Sequence, residues 1–241
     1  MKRVVIVQAR LTSSRLPGKV LMDLAGQPML ARQIRRLKLC SQIDEIVIAT
    51  TINDTDDPIV ALAAAEGVRW FRGSENDVLS RYVGAAREAK ADMVVRITAD
   101  CPLIDSEQTD RVIKQLQDQS NEFDYASNVV VRTFPRGLDT EAFFTDVIER
   151  LNRIATSVPA REHVTHYIIT EHPELFAIHS IYDLDDNSDL RWTVDTSEDI
   201  AMVRRIYRDL GDQTPYRQVL EYVRLHPEVA SVNTHVKQKT I

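Results

Sequence analysis

The chain has few of the residues that characterise secreted, fibrous or disordered proteins. Its 241 residues include two cysteines, seven glycines and nine prolines, too few for a disulfide framework, a collagen-like repeat or a low-complexity linker. No apolar run approaches the ~18 residues of a membrane span, and residues 1–7 lack the apolar core of a secretory signal. These absences predict a globular protein of the reducing cytoplasm that does not span a membrane.

Positive charge is in deficit over the whole chain but not over its first part. Thirty basic and 36 acidic side chains give a net charge of −6, and a chain of that sign repels polyanions, so nucleic acid is not an expected partner. Residues 1–40 nevertheless carry nine lysines and arginines against one aspartate, Asp23. A positive segment in an acidic protein predicts a local site for a small anion.

What the sequence does contain is an alternation of apolar β-branched runs with amphipathic segments. Strands are predicted at 3–9, 45–50, 68–71 and 93–98, and helices at 28–39, 56–66, 77–90 and 105–119. Strand–helix units of this length predict an α/β fold with a mostly parallel central sheet that is flanked by helices.

After residue 120 the pattern changes to a mixed β extension of the same domain. Further strands are predicted at 125–131, 140–144, 176–182 and 190–194. A capping box at Thr196 and a first-turn proline after Thr214 predict the starts of two helices, the second of which is expected to be the last. The tail after Asn233 is expected to be a loose end.

The loop after the first predicted strand is the strongest candidate for chemistry. Pro17 and Gly18 permit a tight turn, so the cations and hydroxyls before and after them can converge on phosphate oxygens at the carboxyl end of the strand. These side chains are Arg10, Thr12, Ser13, Arg15 and Lys19. The alternative is a solvated basic loop.

Two carboxylates follow predicted strands in the same way. Asp100 comes after the strand at 93–98, and Asp195 comes after the strand at 190–194. Both are therefore expected at the edge of the sheet that carries the basic loop, where paired carboxylates suit Mg²⁺ together with substrate phosphates. The alternative for each is a helix cap.

Six segments together resemble the CMP-sugar synthetases, the family of the 3-deoxy-manno-octulosonate (Kdo) and acylneuraminate cytidylyltransferases. The nearest resemblance is to the SpsF-like branch of spore coat polysaccharide biosynthesis. The segments lie at 9–19, 73–82, 94–103, 134–141, 161–165 and 190–195. The resemblance implies a Rossmann-like nucleotide-diphospho-sugar transferase fold, CTP as the donor, Mg²⁺ as the cofactor and a homodimer. The implied reaction is transfer of CMP to an acidic sugar or related hydroxyl acceptor, with release of pyrophosphate.

The resemblance also implies roles for individual residues. Within a single domain, 1–120 would bind the nucleotide, 121–190 would bind the acceptor and the second subunit, and 191–241 would carry a metal ligand and the C-terminal helices. The triphosphate would be held by Arg10, Ser13, Arg15 and Lys19, of which Arg10, Arg15 and Lys19 would be catalytic. The metal would be held by Asp100 and Asp195. The cytidine would be bordered by Ser74, Asp77, Arg81, Thr98 and Ala99. Ala99 stands where the family usually has glycine, and His166 where the branch often has proline.

A second group of polar residues is a candidate for binding the acceptor. Its members are Asp139, Glu141, Arg161, Glu162 and His163, the last three predicted to open a helix after Pro159. The alternative is that they are simply exposed. Exposure is also expected for Arg32, Arg35 and Arg36, which share one helix face, whereas Cys101 is expected to be a packed thiol without a nucleophilic role.

Two other functions remain open at this point. A glycosyltransferase of the same fold would use a DxD motif to bind metal, and residues 54–56 and 183–185 have that form. A non-catalytic nucleotide-binding subunit would keep the fold without turnover. Loss of Lys19, Asp100 or Asp195 would favour such a subunit, and all three are present.

Overall fold

The computed structural model describes residues 1–238, and seven strands in this part form one mixed sheet in the order β3-β2-β1-β4-β6-β5-β7. The strands are β1 (Arg3–Gln8), β2 (Glu45–Thr51), β3 (Arg69–Gly73), β4 (Met93–Thr98), β5 (Tyr125–Ser127), β6 (Glu141–Phe144) and β7 (Ile178–Ser180). The helices are α1 (Met29–Leu37), α2 (Asp57–Ala65), α3 (Val78–Ala89), α4 (Ser106–Asp118), α5 (Thr145–Ile154), α6 (Val158–His163), α7 (Ser197–Leu210), α8 (Tyr216–Leu225) and α9 (Pro227–Ala230).

The parallel half of the sheet creates a crevice at its carboxyl edge. Strand β1 pairs in parallel with β2 on one side and with β4 on the other, and Gln8 lies opposite Thr98 at the ends of β1 and β4. The chain thus runs outward in both directions from β1, and in open α/β sheets ligands bind at such a reversal of strand order. The basic loop and Asp100 leave the sheet side by side at this point.

The mixed half confirms the predicted β extension but with shorter strands. Strand β6 is antiparallel to β4 and β5, and β7 is parallel to β5. The strand predicted at 190–194 was wrong as a member of the sheet, because this segment makes only an isolated bridge between Arg136 and Arg191. Its apolar residues, among them the fully buried Trp192, follow from burial in the core and not from strand pairing.

Both faces of the central strands are buried, which explains why their sequences are continuously apolar. In β1, Val5 and Val7 belong to the core that includes residues of α1, α4 and α7. Val4 and Ile6 belong to the opposite core, which includes residues of α3 and α5. Within residues 1–238, no helix has the length and apolar character that crossing a bilayer requires.

Local capping sets several helix starts as the sequence predicts. Thr196 and Asp199 form the expected capping box at the start of α7, and Asp105 caps α4 by accepting from the Gln108 backbone N–H. Helix α8 lacks the predicted cap, because the Thr214 hydroxyl donates to the carbonyl oxygen of Leu210. This helix was also predicted to be the last, but the short helix α9 follows it.

Two further predictions fail in the helical layers. Residues 161–163 end α6 and do not open it, because Ser157 caps that helix from before Pro159. Arg32 and Arg36 are buried, not solvated. The Nε atom of Arg32 donates to the Leu24 carbonyl oxygen, and that of Arg36 to the Ile104 carbonyl oxygen. Only Arg35 of this trio is exposed.

Gly137 fixes the course of the segment that leads to Asp195, and its replacement should destabilise the protein. A Cβ atom at Gly137 would lie 2.7 Å from the Trp192 carbonyl carbon, and its φ is +110°. Since backbone atoms cannot yield as a flexible side chain can, we expect Gly137→Ala to lower the free energy of unfolding by about 2–4 kcal/mol. Gly211→Ala is the matched control, since Gly211 has φ +84° and no neighbour within 4 Å. Equal losses in urea denaturation would show that the close approach is unimportant.

Candidate active site

The loop after β1 folds over the end of the strand through one tight turn. The Lys19 backbone N–H donates to the Leu16 carbonyl oxygen at 3.2 Å, and Gly18 between them has φ +72°. A positive φ at the third position of a turn suits glycine, so the sequence Pro17-Gly18 matches this conformation. The turn places Lys19 at the first residue of a 3₁₀ segment, Lys19–Leu21, with its side chain directed inward.

Lys19 and Arg15 meet at the carboxylate of Asp195. The Nζ atom of Lys19 lies 2.8 Å from Asp195 Oδ1 and 2.7 Å from the Val194 carbonyl oxygen. Arg15 Nη2 lies 2.9 Å from the same carboxylate oxygen, and Asp100 Oδ2 is 3.9 Å from Lys19 Nζ. Residues from three distant parts of the sequence thus form one cluster of charges in the crevice.

The second carboxylate oxygen of Asp195, Oδ2, binds a third cation, Arg191. Arg191 Nη2 donates to Asp195 Oδ2 at 2.8 Å, and Arg191 also binds both oxygens of the buried Asp199. Burial alone would raise the pKa of Asp195, but the charge and hydrogen bond of Lys19, with Arg15 and Arg191, outweigh it and hold this pKa below its ordinary value. Asp195 is therefore an anion in a frame of three cations.

Asp199 holds Arg191 in place beside Asp195, and its ionisation should make the stability of the protein depend on pH. Burial opposes its charge, but hydrogen bonds from Arg191 and Asn233 hold its pKa below the ordinary value of 3.8. A lowered pKa contributes stability above the unfolded value, and that contribution is lost as pH falls through the folded one. We expect Asp199→Asn to cost about 3 kcal/mol at pH 7 in urea denaturation, and progressively less as the pH falls below the ordinary value towards 3. An equal cost at both pH values would contradict this account. Asp118→Asn, in an exposed pair with Lys114, is the control.

Asp100 is more accessible than Asp195. Its side chain is 26% exposed against 6% for Asp195, and the Thr98 hydroxyl donates to its Oδ1 atom. Ala99 has no positive φ, so alanine is compatible with the backbone where the family usually has glycine. Cys101 is buried as predicted, and burial, followed by the Asp100 charge, raises the pKa of its thiol.

Two further acidic residues lie beside the crevice: Glu75, which was not predicted as a site residue, and Asp56, which was predicted only as part of a DxD motif. Glu75 lies 3.6 Å from Arg10 and accepts a hydrogen bond from Asn53 at 2.7 Å. The buried Asp56 accepts from the Leu11 backbone N–H at 2.8 Å, so it tethers the basic loop to β2. The sequence signal for Glu75 was its position after a strand, which many loop residues share, and the DxD pattern at Asp56 indicated a different role.

The residues predicted to border a nucleotide lie around the start of α3. Asp77 caps this helix through the Ser80 backbone N–H at 2.9 Å, and the Ser74 hydroxyl accepts from the Asp77 backbone N–H at 3.1 Å. Arg81 is almost fully buried and donates to the Ser74 carbonyl oxygen at 2.7 Å. Among residues 1–238 the Arg81 guanidinium has no carboxylate partner within ion-pair distance, which leaves this buried cation available to a ligand's acceptors.

Three of the candidate acceptor residues, Asp139, Glu141 and Arg161, bind to other partners and not to one another. Asp139 forms a bidentate pair with Arg132 at 2.7 and 2.8 Å. Glu141, in β6, binds Arg96 and the Tyr125 hydroxyl. Arg161 pairs with Asp77, 3.0 Å from its Nε atom, so a residue assigned to the acceptor and one assigned to the nucleotide hold each other.

The remaining two lie near an unusual turn. Glu162 is exposed and His163 is half-buried, with its ring centroid 6.5 Å from that of His166. Between them Val164 has φ +52°, and the Thr165 backbone N–H donates to the His163 carbonyl oxygen. His166 then precedes a π-helical segment, Tyr167–Glu171, so the helix does not continue regularly through the position where the branch often has proline.

The two DxD motifs are structural. Asp56 is fully buried and accepts from the Thr50 and Thr51 hydroxyls. Asp183 is also buried and accepts from the Tyr216 and Arg217 side chains. Neither motif offers an accessible pair of carboxylates, so the observation that favoured a glycosyltransferase is removed.

The C-terminal segment, residues 233–238, contacts Arg191 and Asp199, contrary to the expectation of a loose end after Asn233. The Asn233 side-chain amide donates to the Arg191 carbonyl oxygen and to Asp199 at 3.0 and 2.8 Å. Gln238 accepts a hydrogen bond from Arg191. Residues 239–241 lie outside the described residues.

A Rossmann-like sheet with a cationic loop and paired aspartates at its point of strand reversal is the arrangement of a nucleotidyltransferase. Residues 4–229 match the family model described as cytidylyltransferase, and the chain belongs to that family. This confirms the resemblance identified in the sequence.

The similarity extends over full-length relatives. The chain is 33% identical over 215 residues to the spore coat polysaccharide biosynthesis protein SpsF of Bacillus subtilis, covering 86% of this chain and 87% of that one. A cytidylyltransferase structure from Leptospira borgpetersenii is similar with a TM-score of 0.93 and 32% identity, covering 100% and 99% of the two chains. A CMP-2-keto-3-deoxy-manno-octonic acid synthetase complexed with CTP shares the fold, with a TM-score of 0.68, 19% identity and coverage of 87% and 99%.

Proposed function

We propose that the protein transfers CMP from CTP to a hydroxyl group of an acidic sugar or related acceptor and releases pyrophosphate, in the biosynthesis of a surface polysaccharide. The observation that carries the proposal is the convergence of Lys19 and Arg15 on Asp195 Oδ1, with Asp100 beside them. This cluster offers both cations for a triphosphate and carboxylates for a metal. The relatives' names supply the nucleotide and the class of product.

In this reaction the acceptor hydroxyl attacks the α-phosphorus of CTP in line, and the bond to the pyrophosphate oxygen breaks. Positioning and charge neutralisation dominate such a transfer, because little covalent chemistry is left to the protein. Arg10, Arg15 and Lys19 would bind the phosphate oxygens. Ser13, whose hydroxyl makes no hydrogen bond with other residues of the described chain, would donate to one of them.

The pair Asp100 and Asp195 fits Mg²⁺, although each residue would contribute differently. Among residues 1–238 no group of three or more potential metal ligands is present, and Mg²⁺ commonly uses one or two carboxylates with substrate phosphates and water. Among the described residues, Asp100 Oδ2 accepts no hydrogen bond, and the Lys19 ammonium lies 3.9 Å from it. When bound, Mg²⁺ would neutralise charge on the phosphates. Asp195 Oδ1 becomes available once Lys19 and Arg15 turn from it to the triphosphate.

The proposal also assigns binding roles around the cluster. Ser74, Arg81, Thr98 and Ala99 would border the cytidine, with Arg81 contributing its unpaired guanidinium. Asp77 and Arg161 form an ion pair that joins the start of α3 to the end of α6. Each would therefore position the other at the boundary between the nucleotide and the acceptor. Asp139, Glu141, Glu162 and His163 remain proposed contacts of the acceptor.

A homodimer belongs to the same proposal. Val131, Tyr182 and Leu184 are exposed by 48%, 48% and 87%, and they lie on two segments joined by the hydrogen bond from the Asn187 backbone N–H to the Thr133 carbonyl oxygen. These apolar side chains in the 121–190 region suit contact with a second subunit. Sedimentation equilibrium distinguishes a dimer from the 27.5 kDa monomer.

Pyrophosphate release tests the reaction. The protein is incubated with Mg²⁺, each nucleoside triphosphate in turn, and a panel of Kdo-like, sialic-acid-like, amino-sugar and phosphonate acceptors. We expect release with CTP alone among the nucleotides, and only when an acceptor is present. Release with another triphosphate would overturn the assignment of CTP. No release with any pair, together with nucleotide binding, would favour a non-catalytic subunit.

A further inference from the structure

A cavity of about 130 Å³ lies beside the C-terminal segment, and none of the residues assigned to the nucleotide, metal or acceptor lines it. Its polar lining comes from Ser188, Asp189 and Arg191, from Thr234 and Gln238 of the C-terminal segment, and from Arg136. A cavity of this size holds several water-sized molecules, and its lining is polar, so it suits a small hydrophilic ligand.

The two arginines approach each other through the backbone. Arg136 and Arg191 form an isolated parallel bridge, in which the Arg136 backbone N–H donates to the Leu190 carbonyl oxygen at 3.0 Å. Residues paired in this way extend their side chains from the same side of the pair. Both arginines thereby line one cavity, and although Arg191 already binds Asp195 and Asp199, two guanidinium groups at one cavity favour binding of an anion.

Within residues 1–238 the Arg136 guanidinium has no hydrogen bond and no ion pair. Burial lowers the pKa of Arg136, and so do the neighbouring charges of Arg132 and Arg191, whereas the charge of Asp139, which is itself paired with Arg132, raises it. Asp189, the carboxylate that lines the cavity, does not compensate Arg136, because both of its oxygens bind Arg224 at 2.7 Å. Arg136 is partly buried beside two other cations, and no acceptor among residues 1–238 binds its guanidinium, so an anionic ligand that supplies one would be favourable there.

Arg191 separates this cavity from the active site. Its Nη2 atom binds Asp195, on the side of Lys19 and Arg15, whereas its Nη1 atom donates to the side-chain oxygen of Gln238 at the cavity. The neutral amide oxygen of Gln238 thus occupies a donor that an anionic oxygen would bind more strongly.

We propose that the cavity between Arg136 and Arg191 is a binding site for a small oxyanion, a phosphate or a small carboxylate, separate from the site proposed for the triphosphate. The anion binds the free guanidinium of Arg136 and replaces Gln238 on Arg191. The hydroxyls of Ser188 and Thr234 supply further donors.

Trp192 reports on this site directly. It is fully buried, follows Arg191, and its backbone N–H donates to the Arg136 carbonyl oxygen at 2.6 Å. The chain has two tryptophans, so Trp70→Phe, a change at an exposed position of β3, leaves Trp192 as the single emitter. In this background we expect a saturable change of fluorescence on titration with inorganic phosphate or malonate at constant ionic strength, which removes general screening.

Arg136→Gln should weaken this binding at least tenfold, because charge-assisted hydrogen bonds to the anion are lost. Arg153→Gln makes the same change of charge at an exposed position of α5 and should leave the affinity unchanged. Arg136→Lys keeps the charge without the planar fork and should give an intermediate affinity, which keeps the test available if the glutamine variant fails to fold.

Lys19→Met separates the cavity from the proposed triphosphate site. Binding that persists in Lys19→Met and is lost in Arg136→Gln supports the proposal. Saturation with phosphate alone assigns the site to phosphates, and saturation with malonate alone assigns it to carboxylates. Loss of binding in Lys19→Met, unchanged affinity in both Arg136 variants, or no saturable signal with either anion overturns it. None of these outcomes depends on turnover, so they are independent of the proposed reaction.

Discussion

Asp195→Asn should abolish turnover and also destabilise the fold, whereas Asp100→Asn should abolish turnover alone. Asp195 is buried and accepts from Lys19, Arg15 and Arg191, and removing one partner from buried ion pairs costs about 3–5 kcal/mol. Asp100 is partly exposed, and its nearest cation is 3.9 Å away. Its replacement should therefore change the free energy of unfolding by less than about 1 kcal/mol.

Pyrophosphate release and urea denaturation measure the two effects separately. Each variant should lose at least about 10²–10³ in rate, since each removes a carboxylate that would hold the metal at the reacting phosphates. Asp118→Asn, on an exposed carboxylate paired with Lys114, is the control for both assays. Near-normal Mg²⁺-dependent turnover in Asp100→Asn would remove the metal assignment, and an unchanged free energy of unfolding in Asp195→Asn would show that the three cations do not depend on this carboxylate.

Lys19→Met should lower the rate of pyrophosphate release by about 10²–10³ while the protein remains folded. The methionine keeps the length of an unbranched side chain in a mostly buried position, and Asp195 retains Arg15 and Arg191 as partners. The loss therefore reports on the missing ammonium group at the phosphates and not on a collapsed loop.

Lys38→Met provides the comparison for Lys19→Met. Lys38 is an exposed residue that lies 3.7 Å from Glu66 at the end of α1, so its replacement makes the same change of charge far from the crevice. We expect it to leave the rate within a factor of two. Similar rates in the two variants would show that Lys19 contributes only to the general charge of the protein.

The proximity of Lys19, Asp100 and Asp195 could be predicted from the sequence, because each residue follows an apolar segment that ends in the crevice. For Lys19 and Asp100 the segment is a strand of the parallel sheet, and the carboxyl ends of such strands share an edge. Asp195 was predicted in the correct place, but from a strand at 190–194 that is not part of the sheet. The segment at 190–194 joins the crevice by hydrogen bonding of the Val194 backbone N–H to the Asp100 carbonyl oxygen at 2.8 Å.

The partners of charged residues that lie far apart in the chain could not be predicted from the sequence. Arg32 and Arg36 look like the polar face of α1, yet they bind carbonyl oxygens of loops near residues 24, 104 and 212. Asp77 and Arg161 are separated by 84 positions, and nothing local to either marks the other as its partner. A guanidinium finds its acceptor through the packing of whole elements, and side-chain spacing along one helix carries no information about that packing.

By itself, the sequence determined which residues would be strands and helices of the central sheet, since burial on both faces demands continuous apolar runs and capping residues mark helix starts. It also determined the chemistry available to the crevice, because the residues after each strand are local to the chain. Tertiary structure alone decided which cation each carboxylate binds, how deeply each is buried and that the Arg136 guanidinium has no ion pair within residues 1–238. These properties depend on distances between segments far apart in the chain, and the same local sequence is compatible with many such distances.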